Sequence, residues 1–262
     1  MASNLGLLLA PLAKEATVAA MRIEQPIIEG RLEKRYKRFL ADVRLEDGEL
    51  LTAHCANTGS MLGCSDPGSR VLLRDSQNPA RKLRHTLHAV EADGTWISVE
   101  PTLSNTLVHE LLEARRVPGF EGYESFRPEV RYGEKSRIDW LLEGEGLPAC
   151  YLEVKTTTLA TSGVAAFPDA VTTRGQKHLQ ELAQVVREGH RGVIFFAIAR
   201  DDVETFRPAD EIDPDYGRLL RAAIAEGVEA LAWTTRVEPG RLELVRPIRI
   251  DLGTPHGEAI RV

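Results

Sequence analysis

Short stretches of alternating apolar and polar residues, separated by turn residues, run through the first part of the chain. The stretches Arg38–Leu45 and Glu49–Cys55 flank Glu46-Asp47-Gly48, an arrangement that is typical of a β-hairpin. Turns at 57–60, 66–69 and 92–94 separate the further strands that the pattern predicts, which are Val71–Arg74, Thr86–Glu91 and Thr95–Val99. Several short strands in a segment of this size predict a small β-barrel such as an OB-fold.

The pattern changes at Pro101, where longer segments with helical periodicity begin. We expect Ser104 to cap a helix that runs to Arg116, with Leu107 and Leu111 on its apolar face. Two more helices are predicted, from Thr172 or Thr173 to Glu188 and from Pro214 to Glu226. The strands predicted around them are Glu129–Tyr132, Arg137–Leu142, Cys150–Lys155, Arg191–Ala199, Val228–Arg236 and Arg241–Val245. This alternation indicates an α/β domain with a mixed central sheet.

These patterns divide the chain into an OB-like nucleic-acid-binding domain at 22–100 and an α/β domain at 101–251. Residues 1–21 are expected to be an N-terminal extension, with Met21 as an alternative start, and residues 252–262 a C-terminal tail. The apolar run Leu5–Ala10 is not preceded by lysine or arginine, so we do not expect a secretory signal. No apolar run approaches the length that crosses a bilayer, so no membrane partner is expected.

The three cysteines, Cys55, Cys64 and Cys150, are odd in number and widely spaced. Both features argue against a disulfide framework, and the spacing does not match a zinc site. Buried thiols in a reducing cytoplasm are therefore expected.

The distribution of charge matters more than its total. A net charge of -6 by itself argues against a nucleic-acid partner. However, residues 101–262 carry 20 basic and 26 acidic side chains, which accounts for the whole net charge. The basic residues of the first domain are concentrated at 31–38 and 70–84, and local basic stripes of this kind suit phosphate binding.

We therefore predict nucleic-acid contacts in both basic stretches. Tyr36 and Phe39 lie among the basic residues of the first stretch, which suits base stacking combined with phosphate contact. An ordinary charged strand edge is the alternative. The residues predicted to bind nucleic acid are Lys34, Arg35, Tyr36, Lys37, Arg38, Arg81, Lys82 and Arg84, together with Arg174 and Lys177 at the start of the second helix, where anions are favoured.

Acidic and basic residues on two otherwise apolar strands are the candidates for chemistry. Glu153 and Lys155 project from the same face of one strand, with Val154 on the opposite face, and Asp139 begins the preceding strand. Such charges are costly unless they are paired or bind a metal. Two converging carboxylates suit Mg²⁺, and Lys155 would then stabilise charge on a phosphate. A purely structural ion pair is the alternative.

Asp139 followed by Glu153-Val154-Lys155 resembles the PD-(D/E)xK nuclease motif, although Arg137-Ile138 replaces the usual proline. The resemblance implies that Asp139 and Glu153 bind Mg²⁺ or Mn²⁺ with help from the Val154 carbonyl, and that Lys155 is catalytic. It also implies an acid on an upstream helix, for which Glu110 fits best, with a solvated acid on the helix face as the alternative. Gln176 is a further candidate for the active site, with a solvated first helical turn as the alternative.

A second resemblance covers most of the chain, from about Met21 to Asp251. The segments that carry it are Gly30–Phe39, Asn57–Met61, Tyr132–Asp139, Phe167–Ala170 and Arg174–Leu179, and they resemble the sugar fermentation stimulation protein (SfsA) family. This resemblance implies an OB-like domain, a PD-(D/E)xK nuclease-like domain and DNA binding. The family name refers to regulation of sugar metabolism, notably of maltose.

Two functions follow as hypotheses. The first is a nuclease that depends on Mg²⁺ or Mn²⁺ and acts on DNA or possibly RNA. The second is a DNA-binding regulator of sugar metabolism genes that keeps the nuclease fold but does not cut. All three core residues are present, which favours the first. A sugar-linked enzyme is suggested only by the family name, and no constellation of residues supports it.

Overall fold

The computed structural model describes residues 19–133 and 136–253. The strands of the first part are β1 (Ala19–Arg22), β2 (Ile27–Tyr36), β3 (Leu40–Arg44), β4 (Leu50–Cys55), β5 (Arg70–Asp75), β6 (His85–Ala92) and β7 (Thr95–Ser98). The elements of the second part are α1 (Pro101–Glu113), β8 (Ser125–Tyr132), β9 (Ser136–Glu143), β10 (Cys150–Thr157), β11 (Ala160–Thr161), β12 (Val164–Phe167), α2 (Thr173–Arg187), β13 (Arg191–Ile198), β14 (Thr205–Pro208), α3 (Pro214–Ala225), β15 (Glu229–Glu238), β16 (Arg241–Pro247) and β17 (Arg249–Ile250).

Five strands close a barrel in the N-terminal domain. Its sheet has the order β4-β3-β2-β5-β6-β7, and β4 also pairs in parallel with β6. This additional pairing closes the ring and leaves β7 as an extension against β6. The interior is apolar and includes Leu32, Val43, Leu73 and Leu87, all of them buried. The OB-like barrel predicted from the strand pattern is therefore confirmed.

Two details at the start of the barrel differ from the sequence prediction. Lys37 and Arg38 form the turn between β2 and β3 with positive φ angles of 49° and 66°, so the strand predicted from Arg38 begins at Leu40. β1 pairs with β16, so residues 19–21 of the predicted extension belong to the sheet of the second domain. The rest of that extension and most of the predicted C-terminal tail lie outside the described residues.

The second domain is built on a seven-stranded sheet with the order β1-β16-β15-β13-β10-β9-β8. β10, β13 and β15 run parallel to one another in the centre, whereas the outer pairs are antiparallel. This is the mixed central sheet that was predicted. A separate four-stranded sheet, β11-β12-β14-β17, was not predicted, because its strands are only two to four residues long and show no periodicity.

Helices cover both faces of the seven-stranded sheet. α1 packs on one face, where Leu107 and Leu111 meet Leu152 and Val154 of β10. α2 and α3 pack on the other face, where they meet residues such as Ile194 of β13. The side chain of Val154 therefore points toward α1. Its neighbour Glu153 meets α2 instead, as the alternation along a strand requires. Among the described residues, none of the helices is long and apolar enough to cross a membrane.

The N-termini of the helices show how each segment begins. α1 starts at Pro101 after Glu100, so the prediction that Ser104 caps it is wrong. Proline is favoured in the first helical turn because its φ is already helical and its missing N–H has no partner there. The prediction that α2 begins near Thr172 is confirmed, since the Thr172 side chain accepts a hydrogen bond from the Gly175 N–H at 3.0 Å.

The barrel and the α/β domain are in direct contact. Ala199, which follows β13, packs into the barrel core, and its carbonyl accepts a hydrogen bond from the Ser98 N–H at 3.0 Å. Val237 of β15 packs with Leu72 and Ala89 on the outside of the barrel. These apolar contacts hold the barrel against the sheet that carries the candidate residues.

Candidate functional site

Asp139 lies where the pairing between β9 and β10 ends. The last paired residues are Leu152 and Trp140, and beyond them the Val154 N–H donates to Asp139 Oδ2 at 2.7 Å. On the other side, Asn105 of α1 donates its amide to Asp139 Oδ1 at 3.1 Å. Asn105 is itself oriented, because its Oδ1 accepts a hydrogen bond from Trp140 Nε1 at 2.7 Å. The carboxylate of Asp139 is thus held beside Val154, the residue that follows Glu153 on β10.

Burial raises the pKa of the Asp139 carboxyl to about 6, and the nearby negative charge of Glu153 adds to this increase. The hydrogen bonds from Val154 and Asn105 oppose the increase without cancelling it. The two carboxylates are therefore close enough to interact electrostatically. In the absence of a cation, their mutual repulsion favours a proton on Asp139.

Glu153 is the centre of a buried cluster of charged and polar groups. Only 3% of the residue is exposed. Lys155 Nζ donates to Glu153 Oε1 at 2.6 Å, and His178 Nδ1 of α2 also contacts this oxygen. Lys155 Nζ lies 3.3 Å from His178 Nδ1. Burial acts to raise the pKa of Glu153, but the charge of Lys155 and the hydrogen bond with His178 hold the pKa below its ordinary value.

The remaining oxygen of Glu153 distinguishes this cluster from a simple ion pair. Glu153 Oε2 is buried and has no hydrogen-bond partner among the described residues. An ionised oxygen that is buried without a partner is costly, so it calls for a donor or a cation. Asp139, Glu153 and the Val154 carbonyl supply the hard oxygen atoms that Mg²⁺ and Mn²⁺ prefer. The donor set therefore fits a divalent cation.

Glu110 is not among the residues that contact Asp139 or Glu153 in the described part of the chain. The pKa of Glu110 is raised by partial burial, and the charged groups that act on it are His109 and Glu113. In the described parts of the chain, no three His, Cys, Asp or Glu side chains are arranged as a set of metal ligands. The site thus offers two carboxylates, and the helical acid implied by the motif is not brought to them.

The other predicted residues of α2 have different partners. Gln176 donates its amide to both oxygens of Asp213, at 2.8 and 3.1 Å, and so ties α2 to the N-terminus of α3. Arg174 Nε donates to His178 Nε2 at 3.4 Å, which links it to the buried cluster. Lys177 lies 3.4 Å from Glu181, one turn further along the helix.

Several residues of the first basic stretch are engaged by contacts within the barrel domain. The guanidinium of Arg35 donates to the carbonyls of Asn57, Gly59 and Ser60 at 2.8, 2.7 and 3.2 Å, and to that of Arg38 at 2.9 Å. It therefore organises a loop, which leaves little of it to contact a phosphate. Asp42 engages two further residues of this stretch, because Lys34 Nζ lies 3.4 Å from it and the Tyr36 hydroxyl donates to it at 3.1 Å. The exposed residues of the turn are Lys37, Arg38 and Phe39.

The second basic stretch also mixes paired and exposed residues. Arg84 forms a two-pronged ion pair with Asp75. Arg74 is paired with Glu100, and Arg70 with Glu29 and Glu91. Arg81 and Lys82 are exposed in the loop before β6. The two stretches consequently do not form one uniformly positive surface.

His178 and Asn105 are functional candidates that the sequence prediction left out. His178 lies in the segment that resembles the SfsA family, and its position four residues after Arg174 puts both on one face of α2. Its contact with Glu153 depends on how α2 packs on β10, which no local pattern reveals. Asn105 stands 34 residues before Asp139, and only the fold of α1 onto β9 brings them together.

Comparison with known proteins identifies the family. Residues 34–99 match the family described as the SfsA N-terminal OB domain, and residues 102–241 match the family described as the sugar fermentation stimulation protein RE domain. The chain belongs to the SfsA family. The resemblance seen in the sequence is thus confirmed, and both domains of this SfsA-family chain are matched.

Relatives of the SfsA family match over nearly their full length. The sugar fermentation stimulation protein homolog of Pelobacter propionicus is 58% identical over 87% of this chain and 98% of its own length. The homolog of Geobacter sulfurreducens is 53% identical over 89% of this chain and 100% of its own length. The structure of Pyrococcus furiosus SfsA in complex with Ca²⁺ is 27% identical, with a TM-score of 0.82 over 90% of this chain and 100% of that one.

Proposed function

We propose that this SfsA-family protein binds DNA and hydrolyses its phosphodiester bonds with the help of Mg²⁺ or Mn²⁺. The observation that carries the proposal is that Glu153, which is paired with Lys155, keeps a second, buried oxygen without a partner among the described residues, while the next residue, Val154, donates its N–H to the Asp139 carboxylate. The Ca²⁺ in the Pyrococcus furiosus SfsA structure supports the binding of divalent cations in this family. Hydrolysis adds water across the phosphorus–oxygen bond and yields a phosphate monoester and an alcohol.

Each residue of the site has a distinct role in this proposal. Asp139, Glu153 and the Val154 carbonyl hold the cation, which lowers the pKa of a bound water and offsets the charge of the phosphate. Asn105 and the Val154 N–H fix the direction of the Asp139 carboxylate. Lys155, which neutralises Glu153 in the free protein, stabilises the charge that develops on the phosphate oxygens.

Nucleic acid is proposed to contact the exposed basic residues around the site and on the barrel. On α2 these are the exposed Arg174 and the partly exposed Lys177, which stand in the first turns of a helix whose N-terminus favours anions. On the barrel they are Lys37 and Arg38 in the β2–β3 turn, with Arg81 and Lys82 in the loop before β6. Phe39 is 49% exposed beside the turn, where its ring is available to stack on a base.

The test is incubation of the purified protein with labelled single- and double-stranded DNA and RNA, in Mg²⁺, Mn²⁺ or EDTA. We expect cleavage of DNA in either metal and none in EDTA. Asp139→Ala and Glu153→Ala should abolish cleavage but retain DNA binding, because the exposed basic residues are unchanged. Lys155→Ala should retain cation binding and lose turnover. Equal cleavage by the wild type and Asp139→Ala would identify the activity as a contaminant.

A second candidate is a DNA-binding regulator of sugar (maltose) metabolism genes that does not cut. The observation that favours it is that one oxygen of Glu153 is already occupied by Lys155 and His178. Such a cluster can be a purely structural ion pair. Tight DNA binding without cleavage in either metal, and unchanged by Asp139→Ala, would select this function over the first.

A further inference from the structure

Polar atoms without partners are concentrated beneath α2, next to the carboxylates of the candidate site. The Tyr132 hydroxyl, both oxygens of Glu181 and Glu153 Oε2 are buried, and none has a hydrogen-bond partner within the described residues. Tyr132 ends β8 and is only 8% exposed, whereas Glu181 lies in the middle of α2. Most buried polar atoms in native proteins have a partner, so four unsatisfied atoms in one place call for an explanation, and a bound polar or charged group supplies one.

Two independent features bring Tyr132 and Glu181 to the same place. A Cβ on Gly133 would lie only 2.6 Å from Glu181 Oε1, so the Glu181 side chain lies over the turn that follows Tyr132. The Tyr132 ring lies 5.8 Å from the ring of Tyr151, which stands two residues before Glu153 on the same face of β10. Tyr132 therefore lies on the α2 side of the sheet, the side that carries both Glu153 and Glu181.

The periodicity of α2 explains why Glu181 faces the same side of the sheet as Glu153. His178 contacts Glu153, and Glu181 follows it by three residues, which puts the two side chains on one face of α2. The Lys177 ammonium lies 3.4 Å from Glu181 Oε1 but does not form a hydrogen bond with it. The Glu181 carboxylate is thus neutralised only in part, although just 12% of its side chain is exposed.

The unpaired atoms define the chemistry of what binds. Three of them are carboxylate oxygens, which accept hydrogen bonds and attract positive charge. An anion would be repelled, and an apolar group would leave every one of them unsatisfied. The described side chains do not form a set of three direct metal ligands, so Glu181 does not join Asp139 and Glu153 in direct coordination of a cation. A cation that keeps part of its water shell fits this geometry, because its waters donate hydrogen bonds to groups further away.

We propose that Glu181 and Tyr132 bind the water shell of the divalent cation held by Asp139 and Glu153, and that they thereby set its affinity. This inference rests on the proposed function, because it takes the cation from there. It adds two positioning residues that do not touch the ion or the phosphate. Groups that hold the outer shell of a metal typically change its affinity by roughly ten- to a hundred-fold.

The experiment measures cation binding without DNA. Metal-free wild type, Glu181→Gln, Tyr132→Phe and Asp139→Ala are titrated with Mn²⁺, and free Mn²⁺ is followed by electron paramagnetic resonance. We expect Glu181→Gln to weaken binding by roughly ten-fold or more, Tyr132→Phe by a smaller factor, and Asp139→Ala to abolish it. Glu181→Asp, which keeps the charge on a shorter side chain, should fall between the wild type and Glu181→Gln.

Two control variants test whether the effect is specific. Glu113→Gln removes an exposed acid from α1, and Tyr123→Phe removes a buried hydroxyl that donates to the Pro148 carbonyl. Both should bind Mn²⁺ as the wild type does, and thermal unfolding should show that all variants are folded. Should Glu181→Gln fail to fold, Glu181→Asp and Tyr132→Phe provide the same comparison.

The outcomes separate this inference from the proposed function. Mn²⁺ affinity of folded Glu181→Gln and Tyr132→Phe within two-fold of the wild type would overturn the inference and leave the nuclease proposal standing. Loss of affinity in these variants, combined with a wild type that cuts no nucleic acid, would support the inference and overturn the nuclease proposal. A wild type that binds no Mn²⁺ would overturn both.

Discussion

At the scale of single residues, the environment of Asp139 is the most informative feature. Its carboxylate is half-buried, accepts two hydrogen bonds and lies near a second carboxylate. The hydrogen bonds favour the ionised form, but burial and the charge of Glu153 favour the protonated form and prevail. A carboxyl with a pKa of about 6 is poised to lose its proton when a cation arrives.

This raised pKa predicts how stability depends on pH in EDTA. The folded pKa of about 6 lies above the ordinary 3.8, so Asp139 contributes stability that is fully present below pH 3.8 and lost as the pH rises through 6. Asp139→Asn cannot ionise. Between pH 4 and pH 7, we therefore expect the wild type to lose about 1 to 3 kcal/mol relative to this variant. Urea unfolding of both proteins measures the difference.

Comparing the two pH values provides the control for this prediction. The amide introduced by Asp139→Asn makes different hydrogen bonds from the native carboxyl group, but that constant difference cancels when the change between pH 4 and pH 7 is compared. Parallel stability profiles for the two proteins would contradict the raised pKa. A wild type that gained stability over this range relative to the variant would show that the pKa is lowered instead.

Sequence reasoning found the residues of the site that carry a pattern. Asp139, Glu153 and Lys155 stand out because charges are unusual on apolar strands, and strand alternation correctly placed Glu153 and Val154 on opposite faces. Asn105, His178, Glu181 and Tyr132 carry no such signal, because each is an ordinary polar residue on its own element. Their roles arise only when helices pack against strands that are distant in sequence.

At the scale of elements, the loop at 57–60 connects the barrel to the α/β domain. Arg35 donates to three carbonyls of this loop and holds it against β2. The loop then contacts Asp169, which precedes α2. Ser60 Oγ donates to the Asp169 carbonyl at 2.6 Å, and the buried Met61 donates its N–H to Asp169 Oδ2 at 2.8 Å. Arg35 thus serves the contact between domains.

This contact predicts a difference between two substitutions of Asp169. Asp169→Ala removes the acceptor of the Met61 N–H and leaves that buried donor unpaired, which should cost about 1 to 3 kcal/mol of the free energy of unfolding. Asp169→Asn keeps a side-chain oxygen in place and should cost much less. Urea unfolding followed by circular dichroism measures both. Equal losses in the two variants would show that the charge of Asp169, and not its hydrogen bond, maintains the contact.

The elements that could be predicted are those whose apolar residues recur at a regular spacing. α2, α3 and the central strands were located because their apolar residues recur at helical or strand spacing. β2 did not stand out, because one of its core-facing positions is Gly30, which adds no apolar side chain to the strand pattern. A larger residue does not fit there, since a Cβ would lie 2.5 Å from Val43. The four-stranded sheet was missed for a different reason, since its short strands are defined by their partners and not by their own sequence.

At the scale of the whole molecule, the barrel and the α/β domain keep separate sheets but share apolar contacts. The net charge is -6, so attraction to DNA must come from local groups. Much of the basic character seen in the sequence is neutralised by acids in the fold, as the ion pairs of Arg44 with Glu33 and of Arg70 with Glu29 show. Only basic residues without such partners can release counterions from DNA effectively.

This distinction predicts the salt dependence of DNA binding for two double variants with the same change in net charge. Lys37→Gln combined with Lys82→Gln removes two exposed charges that have no acid within ion-pair distance among the described residues. If both contact phosphates, the slope of log K against log salt for double-stranded DNA should decrease in magnitude by about 1.8.

The control is Arg44→Gln combined with Arg70→Gln. It removes two charges that are already paired and should leave the slope nearly unchanged. Fluorescence anisotropy at several salt concentrations measures both slopes, with EDTA present to prevent cleavage. If the two double variants reduce the slope equally, net charge alone governs binding, and the assignment of Lys37 and Lys82 as phosphate contacts is wrong.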